Sequence, residues 1–230
     1  EQVRVIPTDT DYRLQPKQLE GALIKDRELG RRPFCVIASA GTTNTGAVDP
    51  LAEIADLCAA HNLWFHVDGA YGAAAALSAQ GQIELSGLDQ ADSIAVDPHK
   101  WLFQPFECGC ILLRDRTLLP RTFSARHDYM QDGAVSDVNL CDYGIQLTRG
   151  FRALKLWLSL KIFGLGAFRA AINHGLAMGK FTETLLRAHD SFELVTPANL
   201  GIVSFRYRAV GLSSEALNRV NLAIVEACIE

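Results

Sequence analysis

The chain has 230 residues, of which 49% are hydrophobic and 21% charged, an ordinary globular composition with room for one domain or one and a half. Its formal net charge of -4 comes without any cluster of lysine and arginine, so the electrostatic footprint of a nucleic-acid or anionic-membrane binder is missing. A small-molecule partner is the default that remains.

No membrane partner is expected, because the most apolar stretch, 153–168, is interrupted by Lys155, Lys161, Gly164 and Gly166. The opening EQVRVIPTDTDY has no basic segment leading into an apolar one, so no secretory signal is read from it. Six scattered cysteines suit buried, reduced thiols in a cytoplasmic protein better than a disulfide framework. Cys108-Gly-Cys110 has no second Cys/His pair at metal-ligand spacing and reads as structural, so no metal is expected.

In chain order, residues 3–6 are extended, and 16–29 form a surface helix with Pro16 in its first turn and Leu19, Ala22 and Leu23 on one face. The uncharged run 34–38 is expected as a strand buried on both faces of a parallel sheet. Asp49-Pro50 opens the next helix, with Asp49 as N-cap and Leu51, Ile54, Ala55, Leu57 and Cys58 towards the core. Strands follow at 64–67, 93–96 and 109–113. Strands alternating with helical stretches predict an α/β architecture with a largely parallel sheet, whose ligand crevice lies beyond the strands' carboxyl ends. Polar residues gather there: Thr42-Thr43-Asn44, Asp68, and His99-Lys100.

Residues 114–150 lack periodicity and contain Pro120, Gly133, Gly144 and Gly150, a connection long enough to be functional or mobile. Helical patterning resumes from Phe151 and again over 165–186. Two strands, 192–196 and 202–208, and a helix over 213–229 with Ser213 as N-cap complete a second, α+β block.

A carboxylate at one strand end and a lysine after a later one form the pair that pyridoxal phosphate requires. The lysine amine makes a Schiff base, and the carboxylate keeps the pyridinium nitrogen protonated so that the ring accepts electrons. Asp68 and Lys100 fit these roles, but Asp68 can equally be a turn acid and Lys100 a solvated lysine. The small residues of Gly69-Ala70-Tyr71-Gly72 leave room for a flat ring. His99 reads either as a contact to the phosphate or reacting carbon or as a packed residue beside Trp101. Gly41-Thr42-Thr43 either supplies hydroxyls to the crevice or is a plain strand-to-helix turn.

The segments GTTNTGAVDP, HVDGAYGAAA, VDPHKWLFQPFECG and DYGIQLTRGFRALKLW, in this order and spacing, resemble the aromatic-L-amino-acid decarboxylase branch of the pyridoxal-dependent decarboxylases. That resemblance covers essentially the whole chain. It implies a fold-type I, aspartate-aminotransferase-like enzyme, with 1–152 as the C-terminal part of the cofactor-binding large domain and 153–230 as an incomplete small domain. A catalytic loop falls at about 114–150. It further implies pyridoxal 5'-phosphate as cofactor, an amino-acid substrate, a cytoplasmic homodimer, and release of carbon dioxide to leave an amine.

By the same resemblance, Lys100 matches the Schiff-base lysine and Asp68 the partner of the pyridinium nitrogen. Thr43 matches a threonine near the ring, Ala70 the residue packed under it, and His99 a cofactor and phosphate contact. Tyr129 falls where these enzymes carry a loop tyrosine that protonates the α-carbon, although it also reads as an ordinary loop aromatic. Asp97 stands where several relatives have asparagine, which puts an acid near the phosphate. The resemblance also implies that this chain is a piece of a longer enzyme and inactive by itself. Alternatives are a decarboxylating aldehyde synthase, in which phenylalanine typically replaces the loop tyrosine, a decarboxylase of glutamate or another amino acid, and a non-catalytic remnant.

Overall fold

A computed structural model describes residues 2–124 and 138–229. Helix α1 (Pro16–Glu28) begins with Pro16, whose ring fixes the backbone for a first turn, and buries Leu19 and Leu23 one turn apart. Asp26 lies on the same buried side. Its carboxylate accepts from Arg4 Nε at 2.6 Å and Arg31 Nη1 at 2.8 Å, and these guanidiniums, Arg4 first, hold its carboxyl down at about 2.

Strands β1 (Cys35–Ser39), β2 (Trp64–Asp68) and β3 (Ser93–Val96) are parallel neighbours. Helix α2 (Leu51–His61) makes the first crossover, and a 3-10 turn (Gly72–Leu77) with helix α3 (Ala79–Glu84) the second. Strand β4 (Cys110–Leu113) joins β3 antiparallel, so the sheet is mostly parallel with an antiparallel edge. The connection over 97–109 has no crossover helix, which is why β4 must run back along β3.

The core lies between one sheet face and α1 and α2. Val36, Ala38, Phe65 and Val67 point into it from β1 and β2, against Leu19, Leu23, Leu51, Ile54 and Cys58. Each larger side chain there contributes roughly 1.5–3 kcal/mol by leaving water. Burial over β1 alternates, so the expectation of a strand covered on both faces is corrected: Ile37 is 65% exposed. Among the described residues the helices cover one face, and the other carries Ile37, His66 and Asp68 in register.

Asp49 also departs from the N-cap role. The residue preceding α2 is Pro50, and no side chain caps that helix. Asp49 instead accepts hydrogen bonds from Leu14 N and Ser39 N, both at 2.7 Å, tying the start of the chain to the end of β1. Burial pushes its carboxyl above the usual range, and these two N–H donors act against that.

Helix α4 (Leu118–Phe123) lies within the long connection. Helix α5 (Arg152–Arg187) is broken by Gly164, which has φ 76° and ψ 158°, so the two helical segments expected on either side of 164 are present. Its second half buries Phe168, Ile172, Leu176 and Gly179 along one face. Strands β5 (Phe192–Leu194) and β6 (Phe205–Tyr207) form a hairpin ladder, shorter than the runs expected. Helix α6 (Ser214–Ile229) is capped as expected, with Ser213 Oγ accepting from Ala216 N at 3.2 Å. Ile172, Leu176 and Leu200 join the same core as the sheet.

No helix among the described residues is long and apolar enough to cross a membrane. All six cysteines are unpaired. Cys58 and Cys108 are buried, and burial pushes the Cys58 thiol up to about 12. Cys110 and Cys228 are exposed, so the buried-thiol reading fits only part of the set.

Candidate functional site

Parallel strands direct their carboxyl ends to one edge of the sheet, and there β1, β2 and the turn after β3 enclose a cavity of about 250 Å³. Its wall is made by Ser39 and Gly41–Thr43 from the first strand end, by Asp68, Ala70 and Tyr71 from the second, and by Lys100 from the third. Thr43, Asp68, Ala70 and Lys100, singled out from the sequence, are thus brought together.

Each is placed by its backbone. Asp68 ends β2 opposite Ser39 on β1 and Ala95 on β3, and its Oδ1 accepts from Ala70 N at 3.1 Å. Gly72 lets the second wall approach the first: a Cβ there would lie 2.2 Å from Ala40 O. Thr42 is committed to its own turn, with Oγ1 2.9 Å from Thr45 Oγ1 and accepting from Ala47 N at 3.0 Å. Thr43 is exposed beside it and faces the cavity.

Lys100 follows β3 in a tight turn, with Lys100 N donating to Asp97 O at 2.9 Å. Its Nζ is paired with Asp97 Oδ2 at 2.9 Å. The adjacent Trp101 is buried and stacks on Tyr71, centroids 4.6 Å apart and planes within 6°. Tyr71 therefore forms both cavity wall and core, and burial pushes its hydroxyl above the usual range.

His99 is not among the residues lining the cavity. Its Nδ1 lies 3.0 Å from Cys108 N and 2.7 Å from Cys108 O, so either tautomer bonds that backbone, and Phe106 meets the ring edge-on. Its Nε2 lies 3.9 Å from Asp97 Oδ2. Tyr129 falls outside the described residues.

Three features escaped the sequence reading. Ser39 and Tyr71 line the cavity, and a strand-end serine or an aromatic after Gly-Ala gave no chemical signal of that. On the uncovered face beneath Asp68, Ser93 Oγ accepts from Trp64 Nε1 at 2.8 Å and lies 2.7 Å from His66 Nδ1. The indole can only donate, so the serine's own hydrogen is available to His66. The i, i+2 spacing of Trp64, His66 and Asp68 marks one strand face, but the Ser93 partner shared by Trp64 and His66 needed the fold.

A primary amine and a carboxylate lining one small cavity, with the small Ala70 in its wall, suit a flat, electron-poor ring that carries an aldehyde. At about 250 Å³ the cavity is a little smaller than pockets for drug-sized ligands and has room for a single ring. The residues present fit pyridoxal phosphate at its ring and aldehyde ends.

Comparison with known proteins agrees. The chain is 46% identical over 229 residues to the aromatic-L-amino-acid decarboxylase of Bacillus atrophaeus, covering 98% of this chain and 48% of that protein. It is 37% identical over 214 residues to tryptophan decarboxylase 1 of Oryza sativa subsp. japonica, covering 90% and 41%. The chain thus spans about half the length of the curated relatives it matches. The crystal structure of Oryza sativa TDC with PLP and tryptamine superposes with a TM-score of 0.91 at 35% identity, covering 97% of this chain and 48% of that one. The sheet and its flanking helices are therefore those of a fold-type I, pyridoxal-phosphate-dependent decarboxylase. The profile described as "Pyridoxal-dependent decarboxylase conserved domain" matches residues 1–208, and the chain belongs to that family.

Proposed function

We propose that this chain forms part of an enzyme that decarboxylates an L-amino acid with an aromatic side chain, releasing carbon dioxide and the corresponding amine. The observation that carries the reading is the convergence of Asp68 and Lys100 on one cavity, in a chain of this family. Pyridoxal phosphate, when bound, supplies an aldehyde for amines and a ring that takes up the electron pair left as the carboxylate departs.

The protein's own residues do the rest. The Lys100 amine would hold the cofactor through its aldehyde and would give way to the amine of a substrate. Asp68, fixed by Ala70 N, would pair with the ring nitrogen and keep a proton on it. Ala70, small in the cavity wall, would leave room for the ring, and Thr43 would offer a hydroxyl from the same lining. His99, anchored through Nδ1 to Cys108, has its Nε2 edge to offer a phosphate or the reacting carbon. Tyr129 is the proposed donor of the proton to the α-carbon, which makes amine rather than aldehyde the product.

An aromatic substrate is supported by the named activities of the two relatives above. We further propose a cytoplasmic homodimer. Exposed Trp157, Ile162 and Phe163 on the first half of α5 support association with another copy, and the unpaired cysteines suit a reducing compartment.

The test is product analysis of the protein carrying this chain, offered L-tryptophan, L-tyrosine, L-phenylalanine and L-glutamate separately. Amine and carbon dioxide should appear with the aromatic substrates and vanish in Lys100→Ala. Amine from glutamate alone would overturn the substrate class, and undiminished turnover in Lys100→Ala would overturn the reaction.

A further inference from the structure

We propose that Asp97 is a positioning residue that parks the amine of Lys100 as an ion pair and thereby slows capture of the cofactor's aldehyde. The inference rests on the reading of Lys100 as the cofactor lysine and adds a control over its loading.

Two carboxylates border the end of this sheet, Asp68 in the cavity wall and Asp97 just after β3. Lys100 Nζ is paired with Asp97, at 2.9 Å from Oδ2. The backbone leaves little freedom to separate the two. Lys100 N donates to Asp97 O at 2.9 Å, Asp97 N donates to Ala70 O at 3.0 Å, and Gln104 N donates to Pro98 O at 3.0 Å, with Pro98 fully buried between them. The pair therefore opens by side-chain rotation rather than by backbone movement. That side chain is 42% exposed and the aspartate's 25%, so water screens the pair and opening it is cheap enough to happen repeatedly. The same Oδ2 also lies 3.9 Å from His99 Nε2, so a basic group remains beside the carboxylate when the lysine swings away.

The consequence is chemical. An ammonium has no lone pair, and one held in an ion pair with a carboxylate is kept in that unreactive form. Capture requires Nζ to leave Asp97 and shed a proton. Its lone pair then bonds to the aldehyde carbon, and the carbonyl oxygen leaves as water, carrying two hydrogens that began on the ammonium. No oxidant or reductant takes part.

The experiment uses the protein carrying this chain as wild type, Asp97→Asn and Asp97→Glu. Each is mixed with pyridoxal phosphate or with pyridoxal, quenched with borohydride at timed intervals, and digested for peptide mass mapping of the Lys100 adduct. Asp97→Asn should label Lys100 about threefold to fivefold faster with both aldehydes, as expected for loss of a half-exposed ion pair. Asp97→Glu should stay close to wild type, and labelling of the exposed Lys25 should not change. Equal or slower labelling in Asp97→Asn would overturn the proposal. So would an acceleration confined to pyridoxal phosphate, because relief of repulsion between the acid and the phosphate would then be its cause. An acceleration shared by Lys25 would overturn it as well, by showing general loosening of the chain. Labelling of a different lysine in the wild type, with Lys100 untouched, would be a distinct failure, that of the cofactor-lysine reading itself.

Discussion

Replacing Asp49 with alanine should destabilise the protein by about 2 to 4 kcal/mol. The carboxylate accepts from two backbone N–H groups, Leu14 N and Ser39 N, both at 2.7 Å and one on each oxygen. Hydrogen bonds to a charged group are worth about 1.5–3 kcal/mol each, and the variant also leaves two donors without their acceptor. Burial of the carboxylate, which pushes its carboxyl upward, opposes this and places the net cost below the full value of both bonds. Against a total stability of about 5–15 kcal/mol for a typical domain, the loss would be plain in a urea titration as a lower midpoint with unchanged slope. Asp49→Asn should lie between wild type and alanine, because its amide oxygen can accept one bond while its NH2 group faces the other donor. Ser39 also borders the cavity opposite Asp68, so the alanine variant should label Lys100 with pyridoxal less uniformly. A stability change for Asp49→Ala within about 0.5 kcal/mol, the range of ordinary surface substitutions, would refute the assignment of Asp49 as the tie between the chain's start and β1.

Asp26→Asn should lower the thermal midpoint at neutral pH. The folded-state value of Asp26 is depressed to about 2 from an ordinary 3.8, so its stabilisation is present above 3.8 and lost as pH falls towards 2. The gap between wild type and variant should close over that window, and a gap independent of pH would contradict the ion pairs. Gly72→Ala should cost about 1–3 kcal/mol or more, read by denaturant titration, because its methyl would lie 2.2 Å from Ala40 O and 2.7 Å from Leu200 Cδ1. Asp68→Ala should leave borohydride trapping on Lys100 intact while turnover falls by at least about a hundredfold, and near-normal turnover would remove its role at the ring nitrogen.

Much of this site was readable before the fold. The runs ending in Asp68 and in Asp97-Pro98-His99-Lys100 are uncharged up to their last residues, which marks parallel strands, and the rule that such strands deliver ligands at their carboxyl ends located the cavity. Two separate helical runs, before and after 164, were likewise legible, although Gly164 itself was read only as interrupting an apolar stretch. Failures came where a residue answers to something distant in sequence. Asp49 has the composition of an N-cap, but its partners lie 35 and 10 residues away, and no local rule anticipates them. Ile37 sits in a run that reads as doubly buried, yet helices cover only one side of it. The pairing of Lys100 with Asp97 is helical spacing of i, i+3 in a turn that no periodicity marks as helical. His99 was legible as a neighbour of the lysine but not in its attachment to Cys108, which depends on the return of the chain towards β4.

The indole of Trp101 lies against two glycines from the second half of the chain. A Cβ at Gly175 would stand 3.2 Å from its Nε1, and one at Gly201 would stand 3.3 Å from its Cζ2 and 2.8 Å from Tyr71 Oη. Residues 71, 101, 175 and 201 therefore pack as one unit. A chimera that exchanges the region after α4 with that of another protein will keep its cavity only if small residues arrive at 175 and 201, or if the tryptophan beside Lys100 is traded for something smaller in the same step.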